Sequence, residues 1–452
     1  MTVTLAVEAL LVGAGEHAPV ARGGSLPYAH LDHAASTPPF ARVMDAVRDA
    51  ALRYASVHRG TGWKSRQTTR AFEDARTRVG RRVGADSSQV VVFVRNTTEA
   101  LNHLSRRIAV PPGGGHVVVV TGMEHHSNDL PWRRAGAVVR ARVDAAGRVD
   151  EDQLRDLLRA HAGRVAALAV TAASNVTGIV NPVHRWARWA HEAGAPIVVD
   201  AAQLVPHRPL DCHPAPDPEH LDAVAFSAHK CYAPFGVGAL VAPRALLAAG
   251  EPAVVGGGTI DVVGDDYVSW TAPPAREEAG TPCALGALAL AEALDALAAL
   301  GWDTVAAHEG ALAALLHQHL RAVPGLTLYG DAGPCDLDHR LGVFAFNLDP
   351  LPHGLVAAAL DYEWGIGVRN GCFCAHPYVK ALLGLTAGAI EAFENRVRAG
   401  DRRAQPGMVR ASVGLAASRD DAARLVTALH AIADGEHGEY VEDVDGVWSP
   451  VT

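Results

Sequence analysis

Two apolar runs that stop abruptly on polar residues constrain this chain most. Ile197-Val198-Val199 ends on Asp200 with Gln203 just beyond, and Ala225-Phe226 ends on Ser227-Ala228-His229-Lys230. A short β-branched or aromatic run closed by polar side chains reads as a buried strand whose end opens into a site. Around them strand and helix patterns alternate. Strands are expected over 116–121, 165–170 and 197–199. A helix is expected over 150–162, with Asp150 as N-cap and Gln153 closing a capping box. Pro182 opens another helix and Gly194 ends it. Such alternation predicts an α/β fold with a mostly parallel sheet covered by helices on both faces.

From 285 to 300 leucines recur at helical spacing around Glu292 and Asp295. The two charges argue against a membrane span and suit a long amphipathic connector. Beyond it a strand over 343–348 and a helix over 417–432 predict a smaller α+β unit, while the acidic stretch 436–445 reads as solvated. The expected partition is an N-terminal segment, 1–30, packing near the smaller unit, a large domain, 31–300, and a small domain, 301–452. A length of 452 residues with 49% hydrophobic content is enough for two cores. The net charge of −9, with no basic run interleaved with aromatics, argues against nucleic acid and anionic membranes as partners. Small molecules or proteins are expected instead. The first twenty residues lack a basic stretch, and Glu8 interrupts their apolar run, so a cytoplasmic protein is expected. Six cysteines without a regular framework are expected to be free thiols. Gly13-Ala14-Gly15-Glu16-His17-Ala18 loosely matches a dinucleotide fingerprint, but Pro19 follows at once and no βαβ unit surrounds it.

The polar groups at the two strand ends are of the types pyridoxal 5'-phosphate requires: a carboxylate, Asp200, for its ring nitrogen, a lysine, Lys230, for its aldehyde, and hydroxyl or imidazole donors, Ser227 and His229, for its phosphate. Lys64, Lys230 and Lys380 are the only lysines. Lys230 lies between His229 and an apolar stretch, where burial would lower its pKa toward the nucleophilic amine. Asn96-Thr97-Thr98, at an expected helix start, offers hydroxyls and free amides to a phosphate, or serves only as a cap. His125 and His126 read equally as core histidines or weak metal ligands; no third ligand stands at a zinc spacing, and no metal is expected.

The motifs taken together resemble the class V aminotransferases of fold type I, and within them the cysteine desulfurases, from Leu31 to about Leu415. Leu31-Asp32-His33-Ala34-Ala35 is similar to the opening motif, and Val57-His58-Arg59-Gly60 to an interface loop. In Glu124-His125-His126-Ser127-Asn128 the first histidine takes the place of the one that stacks on the cofactor ring. Ser174-Asn175-Val176-Thr177-Gly178 resembles the asparagine loop near the cofactor and the substrate carboxylate. Gly256-Gly257-Gly258 and Glu278-Ala279-Gly280-Thr281-Pro282 resemble crossing segments of a homodimer, in which Thr281 would reach the partner's cofactor phosphate. The resemblance implies the fold of pyridoxal-phosphate transferases, with a seven-stranded type of sheet and a smaller C-terminal domain. It implies pyridoxal 5'-phosphate held by Lys230, Asp200, Gln203, His125, Asn175, Thr97, Thr98, Ser227, His229 and Thr281.

Gly367-Val368-Arg369-Asn370-Gly371-Cys372-Phe373-Cys374-Ala375-His376-Pro377 looks like the desulfurase loop, with Cys374 in the place of the nucleophile. Arg410 matches the arginine that holds the substrate carboxylate, a task that suits its planar fork. Arg369, Asn175 and His33 are the other expected substrate contacts, and Lys230, Cys374 and His125 the catalytic groups. Here the chain departs from the family. Asn370 stands where threonine is common, and Cys372-Phe373 replaces two histidines. The implied activity is removal of sulfur from L-cysteine through a Cys374 persulfide, giving L-alanine, with an acceptor protein or small thiol collecting the sulfur. The alternative is a C–S lyase, aminotransferase or epimerase acting on another amino acid or a cysteine conjugate. Cys372 and Cys374 could relay sulfur, pair, or merely coexist.

Overall fold

The computed structural model describes residues 10–21, 23–108, 115–330 and 339–451. Part of the expected N-terminal segment, residues 1–9 and 22, lies outside them.

The valine-rich runs form a seven-stranded sheet. In chain order its strands are β1 (Gln89–Val94), β2 (Val117–Thr121), β3 (Ala137–Ala141), β4 (Val165–Thr171), β5 (Ile197–Asp200), β6 (Ala223–Ser227) and β7 (Gly238–Pro243), arranged β1-β7-β6-β5-β4-β2-β3. β2 to β6 pair in parallel, and only β7 runs against its neighbours β1 and β6. Strands covered on both faces need continuous apolar runs, and every residue of β2, β5 and β6 is buried. The C-terminal ends of β4, β5 and β6 carry Thr171, Asp200 and Ser227 side by side, where ligands bind in parallel α/β sheets.

Helix α1 (Trp63–Arg82), α2 (Thr97–Arg107) and α3 (Ala284–Leu300) pack around this sheet. α3 corrects the expected amphipathic connector. Its alanines and leucines are buried over most of its circumference, so it is a core helix. Its two acids are paired: Glu292 and Asp295 accept from Arg78 at 2.7 and 2.6 Å, and Asp295 also from Arg82. At Gly301 the chain bends by 81° into α4 (Trp302–Leu320). Gly301 has φ 85°, a conformation that costs glycine little. Among the described residues no single helix is long and apolar enough to cross a membrane.

A second sheet follows. Its strands β8 (Leu326–Tyr329), β9 (Val343–Leu348), β10 (Arg369–Gly371) and β11 (Met408–Ser412) stand in the order β8-β9-β11-β10, all antiparallel. Phe344, Phe346, Val409 and Ala411 share a separate core with α4 and helix α5 (Arg419–Ala433). The N-terminal stretch joins this sheet's side of the molecule, since Ala29–His30 pairs in parallel with Ile366–Gly367. The capping box expected at Asp150 is half formed. Asp150 accepts from Gln153 N at 2.9 Å, but the Gln153 side chain turns to Arg142 N at 2.6 Å. The acidic tail folds into a hairpin of Tyr440–Glu442 and Trp448–Pro450, where Glu442 accepts from Ala404 N.

Candidate active site

The ends of β4, β5 and β6 form the floor of a cleft of ≈ 370 Å³, and the loop after β10 together with β11 forms its opposite wall. Lys230 ends a single 3-10 turn that follows β6. Loss of solvation pushes its ammonium down to about 8 despite the opposing pull of Asp200, and Arg410 pushes the same way as burial. Asp200 is 4% exposed and accepts one hydrogen bond, from Ala202 N at 3.0 Å. Burial raises its pKa, with the amide and Lys230 opposing. The Gln203 amide donates to the Ala34 carbonyl at 2.6 Å, which ties the floor to the opening motif.

Beside Asp200 stands the start of α2. The Asn96 side chain caps it by accepting from Glu99 N. Thr97 N donates to Ser227 Oγ at 2.8 Å, the two hydroxyls lie 2.7 Å apart, and Thr98 Oγ1 lies 2.6 Å from Ser127 Oγ. Gly238 permits this approach: a Cβ there would meet the Asn96 Cα at 2.9 Å and the Phe226 carbonyl at 2.8 Å. Four hydroxyls and a helix N-terminus thus face one corner of the cleft, a ready anion site. His229 lines the same cleft, and burial lowers its pKa to about 4, with Lys230 adding to the shift.

His125 begins the turn after β2. Its Nδ1 accepts from Ser127 N at 3.1 Å, and burial, then Lys230, pushes its pKa down to about 3, so the ring is neutral. The turn is anchored by Glu124, a residue whose part the sequence pattern did not reveal. Fully buried, its carboxyl is raised to about 8 by loss of solvation, while Thr121 and Asn128 donate to it.

The opposite wall holds the cations. Arg369 and Arg410 face each other across β10 and β11 and share Asp32. Asp32 accepts from Arg410 Nη2 at 2.7 Å and from Arg369 Nη2 at 3.0 Å. Arg410 also donates to the Asn175 carbonyl at 2.9 Å, and its guanidinium lies 4.9 Å above the Phe373 ring. The Asn175 side chain donates to the Phe373 carbonyl at 2.7 Å. Asp32 thus holds both arginines, a role its place in the opening motif gave no sign of. Phe373 and Cys374 adopt successive left-handed conformations, φ 49° and 54°, and the exposed Cys374 lines the cleft. The Cys374 carbonyl accepts from His126 N at 2.7 Å. Cys372 is buried with its thiol on the Pro406 carbonyl at 3.0 Å, its pKa raised to about 11 by burial.

Of the residues expected from the sequence, Lys230, Asp200, Gln203, His125, Asn175, Thr97, Thr98, Ser227, His229, Arg369, Cys374 and Arg410 line this one cleft. Two do not. His33 is 1% exposed, its Nδ1 donating to the Ser412 carbonyl at 3.2 Å, and its ring packs against Gly414. It supports the wall from behind, while its neighbours Ala34 and Ala35 reach the cleft. Thr281 lies in a separate groove with Arg59, Gly257 and Gly258, where Gly280 N donates to the Gly257 carbonyl at 2.7 Å. Within the protomer it does not meet Lys230.

A family model for aminotransferase class-V matches residues 29–425. The chain belongs to that family. The match spans both sheets and every residue lining the cleft. A cysteine desulfurase of Dickeya dadantii is 38% identical over 90% of this chain and 92% of its own length. A probable cysteine desulfurase of Halobacterium salinarum is 37% identical over 83% and 88%. Among solved structures of the fold, an apo cysteine desulfurase of Thermococcus onnurineus superimposes with a TM-score of 0.78 at 29% identity, covering 90% of this chain and 95% of that one. The cysteine desulfurase CsdA of Escherichia coli, in an S-sulfonic acid form, gives 0.75 at 28%, covering 91% and 95%.

Proposed function

We propose that this class V family member is a pyridoxal-phosphate cysteine desulfurase that leaves the sulfur of L-cysteine on Cys374 and releases L-alanine. One observation carries the reading: the exposed Cys374 thiol opens onto the cleft that also holds Lys230, Asp200 and His125, with Arg410 on its wall.

The residues fit the cofactor. Asp200 is a buried carboxylate with a single amide donor, and a cationic ring N–H opposite it would relieve its desolvation. Neutral His125 is a flat ring suited to stacking, Thr97, Thr98, Ser227 and His229 would receive the phosphate, and Lys230 would hold the aldehyde. Bound there, the cofactor would supply an electron sink for the Cα carbon.

The chain's own groups do the rest. Arg410, held by Asp32 and the Asn175 carbonyl, receives the substrate carboxylate. Lys230, with its ammonium lowered to about 8, is neutral in part near pH 7 and moves the Cα proton. Cys374, as thiolate, attacks the substrate sulfur. The new S–S bond forms as the C–S bond breaks with its electron pair moving toward carbon, and that carbon is then protonated. The balance is L-cysteine plus enzyme thiol giving L-alanine plus enzyme persulfide, with no oxidant consumed. A thiol of an acceptor protein or small molecule then takes the outer sulfur.

A homodimer fits the protomer's surface, because Val262, Val263 and Tyr267 are exposed near the Thr281 groove. In it Thr281 would complete the partner's phosphate site, and the assembly would work in the cytoplasm. The deciding experiment supplies L-cysteine to wild type and Cys374→Ser, following alanine, pyruvate and added sulfur on the Cys374 peptide. Alanine with one added sulfur, lost in the serine variant, is expected. Pyruvate and ammonia would establish a lyase instead, and undiminished alanine from the variant would remove Cys374 as the nucleophile.

A further inference from the structure

At the far end of β6 from Lys230, a loop and a helix bring together His191, His220 and Asp222. One ligand atom from each lies within 4.8 Å of the other two, and all three residues are half-buried. Their sequence spacing matches no zinc motif, so the cluster exists only in the fold.

The hydrogen bonds settle which nitrogens face inward. His191 Nδ1 lies 2.7 Å from the Pro218 carbonyl, and His220 Nδ1 lies 2.6 Å from the Asp217 carbonyl. A carbonyl only accepts, so both Nδ1 atoms carry a hydrogen. This is the outer-sphere arrangement that fixes the tautomer of metal-bound histidine. The two Nε2 atoms then point at one carboxylate, at 2.9 Å from Asp222 Oδ2 and 3.3 Å from Oδ1. Asp222 is itself held, because Oδ2 accepts from Ile197 N at 2.9 Å.

In neutral imidazoles these Nε2 atoms are lone pairs facing a carboxylate, which repels them. Either a proton on each nitrogen, as in a His–Asp ion pair, or a shared metal ion must lie between. Two protons would satisfy the contacts, but they would make two imidazolium rings stacked 4.3 Å apart at 19°, each repelling the other. One divalent ion replaces both protons without that cost. Two imidazole nitrogens and a carboxylate oxygen suit zinc and its neighbours, with water as a fourth ligand.

We propose that His191, His220 and Asp222 bind one zinc-class divalent ion that staples the 211–222 loop and the helix Val183–Glu192 to the entry of β6. The site lies a whole strand away from the cleft, so the ion acts on stability and takes no part in the chemistry.

The test uses the full-length, cofactor-loaded protein after dialysis against a chelator, titrated with zinc chloride by calorimetry and melted with and without zinc. Cys374→Ala serves as the background, since Cys374, His126 and His376 near the cleft could capture zinc themselves. One equivalent at micromolar affinity or tighter is expected in this background, with a higher melting temperature. His191→Gln and His220→Gln should each weaken it at least tenfold and abolish the zinc-dependent rise in melting temperature. On the native Cys374 background the same two substitutions should leave turnover unchanged. Zinc binding that survives both substitutions, or no tight equivalent in the background protein, would overturn the site and leave protonated imidazoles as the partners of Asp222.

Discussion

The two sides of the cleft are built differently. Its floor consists of side chains at the ends of buried parallel strands: Thr171, Asp200 and Ser227 stand on backbones fixed by neighbours on both sides. Its far wall consists of a loop and a four-stranded sheet in which Arg369 and Arg410 share one aspartate and Phe373 and Cys374 sit in left-handed backbone. Non-glycine residues in that conformation cost on the order of 1 kcal/mol or more each and persist only where surroundings impose them. The Asn175 amide on the Phe373 carbonyl and His126 N on the Cys374 carbonyl are such restraints. The floor is therefore suited to holding a group permanently, and the wall to presenting a reactive thiol. The residues that depart from the desulfurase loop pattern, Asn370 and Cys372-Phe373, lie on the wall.

If that division is right, the two sides should fail in different ways. Lys230→Ala should lower turnover of cysteine by about a thousandfold or more, and borohydride reduction should then leave no label on the peptide carrying position 230. An undiminished label would break the division outright. Arg410→Met should leave the floor loaded with cofactor, because Asp32 keeps Arg369, and should lower kcat/KM by about thirtyfold, or ~2 kcal/mol, mainly through KM. Steady-state kinetics with L-cysteine reads this directly, and a change confined to kcat would remove the carboxylate role.

A subtler effect concerns stability. The folded pKa of Lys230 lies near 8, below the ordinary lysine value, so the unfolded chain binds the proton more tightly. Below pH 8 this disfavours folding in full, and the penalty fades between about 8 and 10.5 as the unfolded lysine also loses its proton. Cofactor-free Lys230→Met should therefore melt above the cofactor-free wild type at pH 7, and the gap should shrink as pH rises through that window. A gap independent of pH would mean that solvent reaches the amine. Smallest of all, Cys372→Ala should cost about 1 kcal/mol in denaturant titration and leave alanine release unchanged, since its thiol is buried on the Pro406 carbonyl. Loss of sulfur transfer in that variant would revive a relay between the two cysteines.

Much of the floor was legible because its residues are sequence neighbours of strong strand signals. A β-branched run ending on Asp200, or an aromatic run ending on Ser227 and Lys230, reports burial and site together. The helix α3 was misread in its environment because leucines at helical spacing look alike whether one face or all faces are covered. Only the packing of α1 against it, with Arg78 reaching Glu292 and Asp295, distinguishes the two. His33 was placed by motif order, which carries no information about which way a side chain turns.

Local pattern by itself determined the alternation of strands and helices, the mostly parallel sheet and the polar groups waiting at its strand ends, because each depends on residues a few positions apart. Tertiary structure alone decided what depends on distant segments meeting. Asp32 comes to rest between Arg369 and Arg410, Glu124 is sealed from water under the His125 turn, and His191 faces Asp222 across a loop. Charges and lone pairs act through space over a few ångströms, and the sequence orders residues only along the chain.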